Sequence, residues 1–130
     1  MKNLVDHVLN PTDCRKEWQE FEALLRSKSV LKERDDILPF FKARLHLSTA
    51  ISNYFPQFKN PYKFKFAHEY PIYGDFIADL IVGDPDVQQY LLIEFENGAP
   101  DSIFKQKGSK TTPEWASRFE GAYSQITDWL

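Results

Sequence analysis

Tyr73-Gly74-Asp75-Phe76-Ile77-Ala78-Asp79-Leu80-Ile81-Val82-Gly83-Asp84-Pro85-Asp86, followed by Gln88-Gln89-Tyr90-Leu91-Leu92-Ile93-Glu94-Phe95-Glu96-Asn97-Gly98, decides the fold. Two apolar runs flank a group of turn-forming residues, which predicts a strand over 75–82, a turn at Gly83-Asp84-Pro85-Asp86 and a second strand over 88–96. At hairpin distance the two strands pair antiparallel. Side chains alternate faces along a strand. Asp75, Ile77, Asp79 and Ile81 therefore share one face, and Phe76, Ala78, Leu80 and Val82 the other, wholly apolar one. On the partner strand Leu92, Glu94 and Glu96 oppose Leu91, Ile93 and Phe95.

Upstream, Tyr62–Tyr70 alternates Phe64 and Phe66 with Lys63 and Lys65 and reads as a first strand. Asn60-Pro61 is the seam with a helical half over 1–60. There, Asp13 caps a helix running to about Ser29, with Trp18, Phe21, Leu24 and Leu25 on one face. A second helix is expected from about Asp36 to Tyr54, because Ile37, Phe40, Phe41, Leu45, Ser48, Ile51 and Phe55 keep a helical period and Pro39 falls in its first turn. His46 has no partner at helical spacing and reads as structural. Downstream, a polar loop runs to Thr112. A last helix starts at Pro113 and carries Trp115, Phe119, Ala122, Tyr123, Ile126 and Trp129 on one face. The expectation is one domain over 1–130 of the mixed α/β class, in its α+β form: N-terminal helices, a three-stranded antiparallel meander and a C-terminal helix.

Length and composition agree with a single folded unit. The 130 residues are 42% hydrophobic, 15% aromatic and 27% charged, an ordinary globular balance. The longest apolar runs are too short to span a membrane. Cys14 is the only cysteine, which excludes an intrachain disulfide and a cysteine zinc site. Met1–Asn10 has no basic run followed by an apolar stretch, so no secretory signal is apparent, and with its single cysteine the chain reads as an intracellular, cytoplasmic protein. The net charge of −3 excludes a generally basic nucleic-acid coat. The charge is segregated, however. No Lys or Arg occurs from Phe66 to Phe104, and Lys105, Lys107 and Lys110 follow at once.

Burying the apolar faces of the hairpin against helices gathers Asp79, Glu94 and Glu96 on the other side. Acids on adjacent strands repel unless something compensates. One reading is a solvated sheet surface. The other is a divalent cation site, since Mg²⁺ takes hard oxygen ligands and uses one or two carboxylates with water and phosphate. The aliphatic neighbours of Glu94 and Glu96, and the presence of acids on both strands, favour the second. No Gly-x-Ser-x-Gly elbow, Walker-type loop or His-rich metal motif is present.

At these residues the sequence resembles the PD-(D/E)XK nuclease superfamily, in which an Asp on one strand is followed by Glu-x-Lys on the next: here Asp79, then Glu94-Phe95-Glu96. More narrowly, it resembles the Shedu anti-phage defence proteins, through Glu33-Arg34-Asp35, Tyr73 to Leu80, Ile93 to Glu96, Asp101-Ser102-Ile103-Phe104 and the Trp115–Trp129 segment. The resemblance implies Mg²⁺-dependent cleavage of DNA, with Mn²⁺ as a substitute. Asp79 and Glu94 become metal ligands, and Asp75 the reserve ligand. Glu96 stands where the family has a Lys that helps the attacking water. A Glu occurs there in some restriction endonucleases, and a carboxylate serves as base or ligand but supplies no positive charge. Lys105 or Lys107 then brings that charge to phosphate. Gln125, with Trp129 four residues on, matches a Gln-x-x-x-aromatic helix signature and either positions phosphate or water or is a polar rim residue. Glu69 is either an acid behind the ligands or a solvent-exposed one. Lys105, Lys107 and Lys110, joined by Arg118, either hold a DNA backbone or form a solvated loop.

The family core continues to a further strand beyond Leu130, so the chain reads as a fragment of a longer protein or as a shortened domain. Shedu-like proteins assemble into oligomers, and an open strand edge favours homo-oligomeric pairing. The alternative from another class is a catalytically silent nuclease-like module that binds nucleic acid or drives assembly, which the Glu at position 96 and the missing strand both favour.

Overall fold

The computed structural model describes residues 3–99 and the backbone of Phe104–Lys105 and Glu114–Trp115. Its centre is a four-stranded sheet in the order β1-β2-β3-β4, with every neighbouring pair antiparallel. The strands are β1 (Val5–Val8), β2 (Lys63–Pro71), β3 (Ile77–Asp84) and β4 (Gln89–Ile93). The meander expected from the sequence is β2-β3-β4. The fourth strand, β1, corrects both the strand count and the all-helical reading of residues 1–60. It pairs Val5 with Phe66 and Val8 with Lys63, and its Val5 and Val8 side chains are more than half exposed. Such a short edge strand carries little periodic signal of its own.

One face of the sheet forms the core. Leu9, Phe64, Phe66, Leu80 and Val82 are buried together, with Ile93 and Phe95 packed against them. These are the apolar faces that strand alternation selects. Full burial of a side chain such as Phe64 or Leu80 contributes about 1.5–3 kcal/mol. A second cluster of Leu31, Ile37, Phe40, Phe41 and Leu47 meets the first through Ile51 and Phe95. The Phe41 and Phe95 rings stack there, with centroids 4.7 Å apart.

Helix α1 (Pro11–Ser27) begins three residues before the expected start. Its cap is Asn10 rather than Asp13: Asn10 Oδ1 accepts the N–H groups of Thr12 and Asp13 at 2.9 and 3.1 Å. Pro11 at the first helical position has no N–H to satisfy. His46 has a partner, supplied by β1. His7 Nε2 lies 3.2 Å from His46 Nδ1, and the Asn10 N–H donates to that same nitrogen at 3.0 Å.

The long second helix is instead a π-helical turn (Glu33–Ile37), α2 (Leu38–Lys42), α3 (Leu45–Ala50) and a 3₁₀ turn (Ile51–Tyr54). The break falls at Arg44, whose φ of −130° and ψ of 80° leave helical geometry. Its side chain holds the bend. Nε donates to Glu20 Oε2 at 2.6 Å, a second nitrogen donates to the Phe40 carbonyl at 3.1 Å, and the guanidinium lies 3.7 Å above the Phe40 ring. The buried hydroxyls of Ser48, Thr49 and Ser52 donate to carbonyls of the preceding turn, which bends and weakens helices.

Gly83 and Asp84 belong to β3, not to the turn. Gly83 pairs with Tyr90, and a Cβ at Gly83 would lie 2.7 Å from the Tyr90 ring, so only glycine lets the ring cover the strand. Asp84, 1% exposed, accepts the N–H groups of Lys59, Asn60 and Asp86 at 2.7, 3.0 and 2.8 Å. It fastens the β3–β4 hairpin to the loop that enters β2.

Phe104–Lys105 (β5) and Glu114–Trp115 (β6) form an antiparallel pair. A loop had been expected over the first and a helix from Pro113 over the second. Phe and Trp favour extended backbone, and the rest of the expected last helix, residues 116–130, lies outside the described residues.

Candidate functional site

Asp79 is surrounded by three further acids, Glu69, Glu94 and Glu96. Asp79 lies inside β3 and is only 8% exposed. The register places its neighbours. His68 pairs with Leu80 and Tyr70 with Ala78, so Glu69 stands opposite Asp79 on β2. Leu80 pairs with Ile93, so the next residue, Glu94, stands toward Asp79 on the other side. β4 stops there because the Phe95 N–H, which would continue the ladder, donates to Asp79 Oδ2 at 2.8 Å. Glu94 and Glu96 thus sit just past the last paired residue rather than within the strand.

The electrostatics follow. Burial pushes the Asp79 carboxyl above its ordinary range, and the charges of Glu69 and Glu96 push the same way. The Phe95 N–H and a hydrogen bond with the Glu94 side chain partly offset this. Two carboxyl groups that share a hydrogen bond compete to stay ionised, an arrangement common where a cation or a proton is handled. Glu96 Oε1 accepts the Asn97 N–H at 3.0 Å.

Glu69 adopts φ +51°, the left-handed region that a non-glycine residue enters at a cost. That backbone lets Glu69 Oε2 meet Lys42 Nζ at 2.9 Å. Replacing Glu69 removes this ion pair whatever follows, but only Gly also relieves the backbone. Glu69→Gly is therefore expected to be more stable than Glu69→Ala by about 1 kcal/mol in urea denaturation. Equal stabilities, or Ala above Gly, would contradict the strain.

Asp79 opens onto a cleft of about 430 Å³ lined by Glu33, Arg34, Leu38, Pro39, Lys42, Glu69 and Ile77. Its helical wall is pinned to the segment after β4. Leu31 and Gly98 exchange backbone hydrogen bonds at 2.7 and 2.8 Å, and the Glu33 N–H donates to Asn97 Oδ1 at 2.6 Å. Asp36 closes the turn by accepting the Lys32 N–H at 2.8 Å and Lys28 Nζ at 2.5 Å. The Lys28 hydrogen bond, with that of the Lys32 backbone, holds its carboxyl below the usual range. A π-helical turn is uncommon and often borders functional sites.

The structure therefore brings Asp79, Glu94 and Glu96 into one electrostatic neighbourhood. It does not bring Asp75, which sits on the exposed turn before β3, because that strand starts at Ile77. Among the described residues no three His, Cys, Asp or Glu side chains are set to hold one metal ion. Lys105 is described only as part of β5. Lys107, Lys110, Arg118 and Gln125 lie outside the described residues. The sequence reading missed Lys42 and assigned no role to Arg34. Their signal was indirect: the cation-free stretch from Phe66 to Phe104 requires that positive charge reach these acids from another segment.

An antiparallel sheet with a buried aspartate, Asp79, opening on a charged cleft walled by broken helices defines a mixed α+β domain with a polar cleft. The chain belongs to a known family: residues 31–130 match the family model described as Shedu protein SduA, C-terminal. Membership implies a role in Shedu antiphage defence. The match takes in both walls of the cleft, and β1 and α1 precede it. No curated protein and no solved structure matches the chain. No helix among the described residues is long and apolar enough to cross a membrane.

Proposed function

We propose that the chain is a metal-dependent DNA endonuclease domain of the PD-(D/E)XK kind, acting within a cytoplasmic, homo-oligomeric defence protein. The supporting observation is the buried Asp79 carboxyl, hydrogen-bonded to Glu94 and crowded by Glu69 and Glu96 at the edge of an open cleft. Burying acids together costs stability unless a function retains them.

The donor set fits a hard divalent cation such as Mg²⁺ or Mn²⁺, which uses one or two carboxylates and completes its shell with water and phosphate. Asp79 and Glu94 are the proposed ligands, with Asp75 a more remote reserve. Such a cation, when bound, stabilises the departing oxygen and lowers the pKa of attacking water. In this reading Glu96 accepts the proton of that water. The Phe95 N–H, donating to Asp79 Oδ2, keeps that carboxylate oriented beside Glu94. Lys105 and Gln125, and the phosphate contacts of Lys107, Lys110 and Arg118, belong to this proposal through the family resemblance.

Nicking of supercoiled plasmid tests it. The protein is expected to nick with Mg²⁺ or Mn²⁺ and not with EDTA, and Glu94→Gln to lose nicking by about a hundredfold or more with unchanged circular dichroism. Glu96 in place of Lys favours one other reading, a silent nuclease-like module for nucleic-acid binding or assembly. Absence of nicking by an assembled, folded protein that also binds no divalent cation would support the module instead.

A further inference from the structure

The acids of this site have no basic residue near them in sequence, yet the cleft has a basic wall. Of the residues that line it, Arg34 and Lys42 carry positive charge, and both come from the helical segment facing Asp79. Arg34 is exposed, and among the described residues it makes no ion pair. Its planar fork suits the two anionic oxygens of a phosphodiester. Lys42 is 41% exposed at its side chain, and its ammonium is held 2.9 Å from Glu69, the residue opposite Asp79 in the sheet. The strained backbone of Glu69 keeps that ammonium beside the acids. The wall itself is fixed, because bonds of Leu31, Lys32 and Glu33 tie the start of the π-helical turn to Gly98, Asp36 and Asn97.

We propose that Arg34 and Lys42 form the phosphodiester-binding wall of this cleft, and that Lys42, crossing from α2, supplies the positive charge that Glu96 does not. The first half concerns a nucleic-acid backbone and stands without cleavage. The second half rests on the nuclease reading. Both cations of the cleft lie on the helical wall, beside Glu33, and face Glu69 and Asp79 on the sheet side, so the non-bridging oxygens of such a ligand meet Arg34 and Lys42 there. Its volume of about 430 Å³ accommodates one phosphodiester with its flanking sugars.

The test separates binding from chemistry. Affinity of the full chain for a fluorescein-labelled duplex is measured by anisotropy in EDTA over a range of salt, beside plasmid nicking in Mn²⁺. Arg34→Ala and Lys42→Ala are each expected to weaken binding several-fold and to reduce the salt slope by about one. Lys42→Arg should restore binding. Glu69→Gln breaks the same ion pair while removing a negative charge, so it should bind more tightly; a purely structural role for the pair would make it weaker, like Lys42→Ala. Nicking by Lys42→Ala should fall further than its binding. Unchanged affinity and slope in both alanine variants, or no duplex binding by the wild type, would overturn the proposal. Wild-type binding that depends on Lys42 without nicking under any divalent cation would keep the phosphate wall and remove the nuclease reading.

Discussion

Asp79→Asn is expected to melt at a higher temperature than the wild type while nicking falls by about a thousandfold. Both effects come from one carboxyl. Burial and the neighbouring Glu69 and Glu96 charges raise its pKa in the folded chain above the unfolded value. The folded state therefore holds the proton more tightly. The stability linked to it is fully present below the ordinary Asp range, about pH 4, and is lost as pH rises through the higher folded value. At neutral pH the ionised side chain is a cost. The asparagine amide oxygen still accepts the Phe95 N–H, so the substitution removes the charge and keeps the bond. A gain of roughly 1 kcal/mol is the usual scale when an active-site charge is neutralised. Wild-type nicking should also rise with pH through a value above the ordinary Asp range, because the ionised carboxylate is the working form. A lower melting temperature with full activity would show that Asp79 is only a structural acceptor.

Asp84→Ala is the opposite case, a large loss of stability with no direct role at the cleft. The Asp84 carboxylate, almost wholly buried, accepts backbone N–H groups from Lys59, Asn60, Asp86 and Val87. Alanine leaves these donors without their charged acceptor. Hydrogen bonds to charged groups contribute about 1.5–3 kcal/mol each, and water recovers part once the loop loosens, so a net loss of about 3–4 kcal/mol is expected. That is a large share of a small domain's stability. The pH dependence runs opposite to that of Asp79. Burial alone would raise the Asp84 carboxyl, but the N–H groups of Asn60, Asp86, Lys59 and Val87 outweigh it and hold the value below the ordinary range. Its contribution is present above the unfolded value, about pH 4, and disappears as pH falls through the folded one. Urea denaturation at pH 7 and pH 3 measures both. The gap between wild type and Asp84→Ala should shrink in acid, and a gap that is small at pH 7 would refute the role.

These two aspartates show what the sequence could and could not reveal. Strand alternation separated the apolar face of Leu80, Val82, Ile93 and Phe95 from the acids, and the core is built on that separation. The same rule placed Asp79 and Glu94 side by side. It failed at element ends, where side chains compete for backbone groups. Asp79 takes the Phe95 N–H and ends β4 early, and the Tyr90 ring draws Gly83 into β3. The long helical period from Ile37 to Phe55 hid a break, because Ser48, Thr49 and Ser52 bond backward and Arg44 finds Glu20 on another helix. Lys42 was illegible for a related reason. Its partner Glu69 stands in a left-handed conformation in mid-strand, and nothing in the identity of a glutamate announces that conformation.

The central claim is that Asp79 and Glu94 jointly hold one divalent cation. Crystals of the full chain soaked in Mn²⁺ and measured at a wavelength where manganese scatters anomalously test it most directly. A single anomalous peak within about 2.0–2.3 Å of an oxygen of each carboxylate, absent from Glu94→Gln crystals, is the predicted result. A map with no peak between them, at a manganese concentration that supports nicking, would contradict it.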